Sequence, residues 1–282
     1  MAPKKTVDSI GIRPINIHTV EFTIRGTSPL IVHAWSHKAK QEMLDKQRGK
    51  KVTSKHAIKI PVNDFIESMY WLTEQPELGE TDEEAEANYV NAIERGARFG
   101  FPCNAIKASI ISGAYRAGLD VKQTELRGTF FIEGATDAST IDLAEITGPA
   151  PEMREDMVKV GGMSKVADIR YRGEFREWEI PLRMRYNADG KYSLEQILNM
   201  VNFGGFVCGV GEWRPEREGQ FGMYELVVYA GRICLGETCL GLFSQGTAGK
   251  VRSCKASRGK ARLGRACQVT SWQARQGQSR TV

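Results

Sequence analysis

The stretch EWEIPLRMRYNADGKYSLEQILNMVNF, residues 177–203, holds two periodicities joined by one turn. Trp178, Ile180, Leu182, Met184 and Tyr186 fall on one side of an alternation whose other side is Glu177, Glu179, Arg183 and Arg185, the period of a strand with one buried face. Pro181 brings no N–H to a ladder, which predicts an edge strand or a bulge at that point. Asn187-Ala188-Asp189-Gly190 is turn chemistry, and Ser193 followed three residues later by Gln196 is a capping box. Leu194, Ile197, Leu198 and Val201 then supply a helix's buried stripe, expected to end at Gly204-Gly205. A strand that turns directly into a helix excludes both all-helical and all-strand classes.

Working outward, Val20, Phe22 and Ile24 alternate with Glu21, Thr23 and Arg25 in a second half-buried strand, which ends at the turn Gly26-Thr27-Ser28-Pro29. After the helix, a glycine-rich loop from Phe203 to Gly222 returns into a strand with Tyr224, Leu226 and Val228 on one face. Asn104 is placed to cap a helix carrying Ile106, Ile110, Ile111 and Ala114, closed by Gly118 and presenting Lys107 and Arg116. Strand-like runs follow at Leu126 to Glu133 and Thr140 to Ile146. Nearer the N-terminus, His37 to Lys59 reads as a short helix giving way to a loop outside the core. Val62, Phe65, Ile66, Met69 and Leu72 form one helix, and Tyr89, Ile93 and Ala97 another, with an acidic linker from Glu74 to Glu86 between them. Strands and helices are interspersed, yet too irregularly for repeated βαβ units. The expectation is an α+β fold, an antiparallel sheet with helices on one face.

The chain of 282 residues is 41% apolar and 26% charged, a globular balance. No stretch approaches the roughly 18 apolar residues of a membrane helix. Met-Ala-Pro-Lys-Lys leads into polar residues instead of an apolar signal core, so a cytoplasmic location is expected. The net charge of +5 is unevenly spread: residues 231–282 hold ten Lys and Arg against Glu237 alone, leaving the first 230 residues acidic overall. This predicts a flexible N-terminus over 1–14, one domain over 15–230 with insertions around 37–60 and 154–178, and a basic, poorly ordered tail over 231–282. The tail is either a polyanion tether or an unstructured extension. Its cysteines, Cys234, Cys239, Cys254 and Cys267, lack the second close pair of a zinc cage, so neither metal nor cofactor is expected.

Gly209-Val210-Gly211-Glu212-Trp213-Arg214 is no dinucleotide fingerprint, because a helix precedes it, a strand follows, and Arg214 stands where the third glycine belongs. Its Trp213, Arg214 and Arg217 instead suit base and phosphate contacts. The segment Arg154 to Arg185 interleaves Arg154, Lys165, Arg170, Arg172 and Arg176 with Tyr171, Phe175 and Trp178, the composition of a sequence-tolerant single-strand binder. Six acids in the same segment leave open a salt-bridged solvent face. Gly161-Gly162 and Gly173 point to a protruding, flexible hairpin. His33 or His37 is the candidate general base for RNA cleavage, though sequence spacing fixes no acid beside either. Cys103 and Cys208 read as buried small apolar residues.

Three segments together resemble the RAMP superfamily, the RRM-like proteins that include backbone subunits of CRISPR effector complexes. They are the strand Val20 to Arg25 with its trailing Thr27-Ser28-Pro29-Leu30, the run Phe101-Pro102-Cys103-Asn104-Ala105-Ile106-Lys107-Ala108 with Arg116 beyond it, and the loop Gly204 to Gly222 before a final strand. Residues 15 to 230 also resemble a group of tailed-phage proteins. Ala108 and the interruption Glu212 to Glu216 depart from the RAMP pattern. The resemblance implies an RRM/ferredoxin-like sheet, a thumb-like hairpin, RNA contact near Lys107, and head-to-tail assembly. The expected function is a non-enzymatic, phage-type single-stranded nucleic-acid binder that also associates with itself. A RAMP-type endoribonuclease and a virion or assembly protein are the alternatives, and the choice between DNA and RNA stays open.

Overall fold

The computed structural model describes residues 14–49, 59–134, 142–160, 166–227, 232–235 and 238–241. In chain order the elements are β1 (Ile17–Gly26), β2 (Leu30–Val32), α1 (His37–Gln47), α2 (Pro61–Glu67), α3 (Asp82–Glu94), β3 (Phe99–Pro102), α4 (Cys103–Arg116), α5 (Gln123–Leu126), β4 (Phe130–Glu133) and β5 (Leu143–Ile146). Then come β6 (Glu152–Val160), β7 (Val166–Phe175), β8 (Glu179–Asn187), α6 (Leu194–Phe203), a π-helical turn Gly204–Cys208, a 3-10 turn Pro215–Arg217, β9 (Tyr224–Leu226), β10 (Arg232–Leu235) and β11 (Thr238–Gly241).

The main sheet runs β4-β8-β1-β9, every neighbour antiparallel. With α4 between β1 and β4 and α6 between β8 and β9, this is the βαββαβ order of a ferredoxin-like α+β fold. Val20, Phe22 and Ile24 of β1, Ile180, Leu182 and Met184 of β8, and Phe130 and Ile132 of β4 are all buried in one core with the apolar sides of α4 and α6. The alternation read from β1 and β8 is therefore the alternation of the sheet. Two excursions leave this frame, Leu30 to Pro102 between β1 and α4, and Leu143 to Phe175 between β4 and β8. They meet each other: β2 pairs with β7, and β7 with β6, in a three-stranded sheet. The expected hairpin from 154 to 178 is β6–β7. Among the described residues no helix is long and apolar enough to cross a membrane.

Several local expectations are corrected. Strand β8 is interior, with Pro181 opposite Thr23 of β1. Its missing donor does no harm because β4 reaches only Glu133, opposite Arg183, and the next partner is the isolated bridge of Thr147 to Glu179. Pro181 falls in the gap between them, a local edge. Residues 123–126 are helical and Leu126 is fully buried, so the strand begins only at Phe130. Of the run from Thr140, Leu143–Ile146 is strand, and 135–141 lie outside the described residues.

Helix α4 starts at Cys103 behind Pro102, not behind Asn104. The Cys103 N–H donates to the Asp142 carbonyl at 2.9 Å, which relieves the capping side chain of its task. Gly118 does close this helix, at φ +75°. Asp82, Glu83 and Glu84, read as linker, form the first turn of α3, where Thr81 Oγ1 accepts the Glu84 N–H and the positive helix end favours carboxylates. Helix α2 stops at Glu67 because Ser68 Oγ bonds the Phe65 carbonyl and accepts the Gly173 N–H at 2.9 Å, leaving Met69 and Leu72 beyond its end. Gly173 belongs to that ladder and is no loose hinge; a Cβ there would press on Met69. Gly161 and Gly162 lie outside the described residues. The Ser193–Gln196 capping box forms as read, and α6 ends as read, with Gly204 as its C-cap. It passes into the π-helical turn, since only glycine at 113 and 204 lets α4 and this turn cross with backbones in contact. The segment assigned to the tail opens with a hairpin, β10–β11, before the described residues end.

Candidate functional site

The glycine-rich loop is laced to the turn after β1. Gly222 N–H donates to Pro29 O at 2.7 Å, Thr27 N–H to Met223 O at 2.9 Å, and Glu212 N–H to Ile31 O at 2.9 Å. Gly211, at φ +77°, lies so close to the Ile31 carbonyl that a Cβ would collide with it. This carries Glu212 and Trp213 onto one face of the β6–β7 hairpin, where Asp156 is the meeting point. Asp156 is 7% exposed and accepts from Arg154 Nε at 2.9 Å, a terminal nitrogen of Arg172 at 2.9 Å and Trp213 Nε1 at 3.3 Å. Burial acts to raise its carboxyl pKa, but the hydrogen bonds from Arg154 and Arg172 prevail and hold it below the ordinary range. Arg154 also reaches Glu174 at 3.3 Å and lies 4.6 Å from the Phe221 ring centre.

Arg172 is 4% exposed, its second terminal nitrogen 3.9 Å from Glu212, and its Nε has no described partner. The expectation that Arg172 contacts a ligand is thus corrected: it is an internal cation that ties the loop to the hairpin. Arg214 is likewise occupied, bonding Glu216 at 2.9 Å and the Gly211 carbonyl at 3.0 Å.

Beside this junction lies a cleft of about 570 Å³. It opens because β2 ends at Val32, opposite Gly173, so that among the described residues β7 runs on from Arg172 outward without a neighbouring strand on that side. Trp35, 60% exposed, shares the cleft with Tyr171, Arg170, Lys59 and His33. Lys59 reaches into the unpaired strand edge, donating to the Ile169 carbonyl, with Asp168 at 3.4 Å, Asp64 at 3.5 Å and the Tyr171 ring centre at 5.6 Å. Arg170 stands 3.7 Å from Asp168. His33 is at the junction side, its Nδ1 3.8 Å from Glu212, and this imidazole, ahead of Arg172, lowers the Glu212 carboxyl pKa. Chemically the cleft offers two aromatic faces and two cations, Lys59 and Arg170, which stand among the carboxylates of Asp64, Glu67 and Asp168.

The sequence-based candidates do not share one surface. Arg170 and Tyr171 line the cleft; Arg154, Arg172, Trp213 and Arg214 build the wall behind it. Lys107 is on α4, donating to Arg127 O at 2.8 Å with its ammonium 3.9 Å from the Phe131 ring centre, and burial lowers its pKa. Arg116 reaches Glu216 at 3.3 Å, and Arg176 pairs with Glu152 at 2.7 Å. Arg217 is exposed with no ion pair among the described residues; Lys165 lies outside them. The sequence reading missed Trp35, Lys59 and the approach of Glu212 to His33. Trp35 left one usable signal, a large aromatic in His33-Ala34-Trp35-Ser36-His37 with no apolar period to bury it. The side chain of His37 is not among those described, whereas Cys103 and Cys208 are buried as expected, and desolvation lifts the Cys103 thiol to about 11.

No family model matches the sequence, and no curated protein matches it. Among solved structures the chain is similar to the crystal structure of Cmr6 from Pyrococcus furiosus, over 76% of this chain and 100% of that one. Identity is 10% and the TM-score 0.28, too loose a superposition to carry an argument.

Proposed function

We propose that this protein binds single-stranded nucleic acid, largely without regard to sequence, in the cleft between α1 and the free edge of β7, with copies of the chain associating on the strand. The carrying observation is that exposed Trp35 and half-buried Tyr171 line one cleft with Arg170 and Lys59. Bases have stacking faces there and phosphates have cations, which is what a sequence-tolerant site requires. The RAMP resemblance of the sequence and the ferredoxin-like strand order support the same reading.

The test is titration with a single-stranded oligonucleotide followed by tryptophan fluorescence. Binding should quench the signal, and Trp35→Ala with Tyr171→Ala should weaken it about tenfold or more, since each base–aromatic stack is worth about 1–3 kcal/mol. Unchanged affinity in a folded double variant rejects the site.

A second reading, metal-independent RNA cleavage by His33, has one observation in its favour: Glu212 stands beside the imidazole, the orienting acid that sequence spacing did not supply. At 3.8 Å it makes no hydrogen bond that would fix the imidazole, and the binder remains our reading. Site-specific scission of single-stranded RNA by the purified protein, abolished in His33→Ala, would establish the nuclease instead.

A further inference from the structure

Among the described residues the outer edge of β6 is open. It is the last strand of the β2-β7-β6 sheet, its ladder runs from Glu152 to Val160 against β7 alone, and no described residue makes a backbone hydrogen bond to its other side. Natural edges of this length are blunted by charged side chains, proline, a bulge or a covering element, and of these β6 has the charges. The β6 register is unbroken over its whole length and contains no proline. One face is held by the glycine-rich loop through Arg154 and Asp156. The other presents Glu155, Met157 and Lys159 to solvent, and Met157 is 77% exposed.

We infer that β6 pairs antiparallel with β6 of a second copy, about a two-fold axis through Met157. Residues directly opposite in a ladder must share a face, so such an axis passes through a residue and not between two. An axis through Glu155 or Asp156 sets like carboxylates against each other, a destabilising pair. An axis through Val158 sets Met157 against Lys159. The axis through Met157 stacks the two exposed Met157 side chains and places Glu155 opposite Lys159 twice, so the strand is complementary to itself in charge. The two copies then share one continuous sheet, β2-β7-β6-β6-β7-β2. This contact uses neither the cleft nor a ligand, so it stands or falls separately from nucleic-acid binding. It is also isologous, unlike a head-to-tail contact, which joins two different surfaces.

Sedimentation equilibrium of the nuclease-treated full chain over a range of concentrations tests it. Expected is a reversible monomer–dimer equilibrium that Lys159→Glu weakens about tenfold or more, since two attractive pairs become two like-charge pairs. Glu155→Lys should act similarly, and the two changes combined in one chain should restore dimerisation, because the opposed charges are exchanged. Circular dichroism checks that these exposed substitutions leave the fold intact. A monomer at every concentration, an oligomer indifferent to either single reversal, or failure of the combined variant to recover would each overturn the pairing.

Discussion

The solvent face of the main sheet and the cleft beside β7 both carry arginines, and they treat them oppositely. On the sheet, Arg25, Arg183 and Arg185 stand among Glu21, Glu133, Glu179 and Glu225, residues that the register places on one face. Glu133 takes Arg185 at 2.7 Å and Arg183 at 3.1 Å, and Glu179 takes Arg25 at 2.6 Å. Acids outnumber bases on that surface, and Phe131 is the one aromatic side chain that the register puts there among the described residues. The cleft has fewer cations but sets them between two aromatic faces, against a wall of Arg154, Asp156 and Arg172 that holds its own charges inside. Counting basic residues along the chain does not separate the two surfaces. What separates them is that the cleft sets Lys59 and Arg170 beside the Trp35 and Tyr171 rings, whereas the arginines of the sheet stand among carboxylates with Phe131 alone.

The wall should give the largest effect. Asp156→Asn leaves Arg172 buried with only the distant Glu212 opposite it, and breaking a buried pair from one side costs about 3 kcal/mol. Glu133→Gln on the sheet, whose arginine partners are half exposed, should cost less than about 1 kcal/mol. Urea unfolding of both variants measures the contrast, and equal losses would erase it. Acid should act on the same wall. The folded Asp156 pKa lies below its unfolded value, so its contribution is present above the unfolded value and disappears as pH falls through the depressed one. The wild type should therefore lose stability in strong acid more steeply than Asp156→Asn, as denaturation at neutral and acid pH would reveal.

Next in size is the dependence of oligonucleotide binding on the cleft and on salt. Contact with phosphates predicts affinity that falls steeply as salt rises, and Arg170→Ala should make the slope shallower by about one ion while reducing affinity for every sequence alike. A slope unchanged by Arg170→Ala would remove the arginine from the ligand's path. Smaller still, Ser193→Ala removes half of the capping box on α6 and should cost about 1 kcal/mol in unfolding experiments while leaving binding untouched.

The frame was legible because its signals are local. Alternation in β1 and β8 and the Ser193–Gln196 box each lie within a few residues, and each forms as read. The boundaries that moved were set by distant groups: Asp142 at the start of α4 and Gly173 at the end of α2. The site was half legible for the same reason. Tyr171 and Arg170 announce themselves by interleaving, but the burial of Arg172 depends on Asp156, 16 residues away across the hairpin turn, and on a loop 40 residues downstream. Trp35 and Lys59 enter the cleft only because β2 stops at Val32, and no composition or spacing near them carries that fact.

The smallest expected effect is the most decisive for the comparison. An open sheet is an obvious place to look for nucleic acid, and the sheet here does show Arg183 and Arg185 to solvent, 61% and 51% exposed as side chains. Both already face Glu133, however, and a phosphate arriving at that surface would meet Glu21 and Glu225 as well, like charges that it must approach at close range. Removing both arginines by Arg183→Ala with Arg185→Ala should change oligonucleotide affinity by less than about twofold, because phosphate contacts give a measurable salt slope only where the cation is free to exchange its counterions. A tenfold loss in that variant, with the Trp35 and Tyr171 substitutions silent, would move the strand from the cleft onto the sheet.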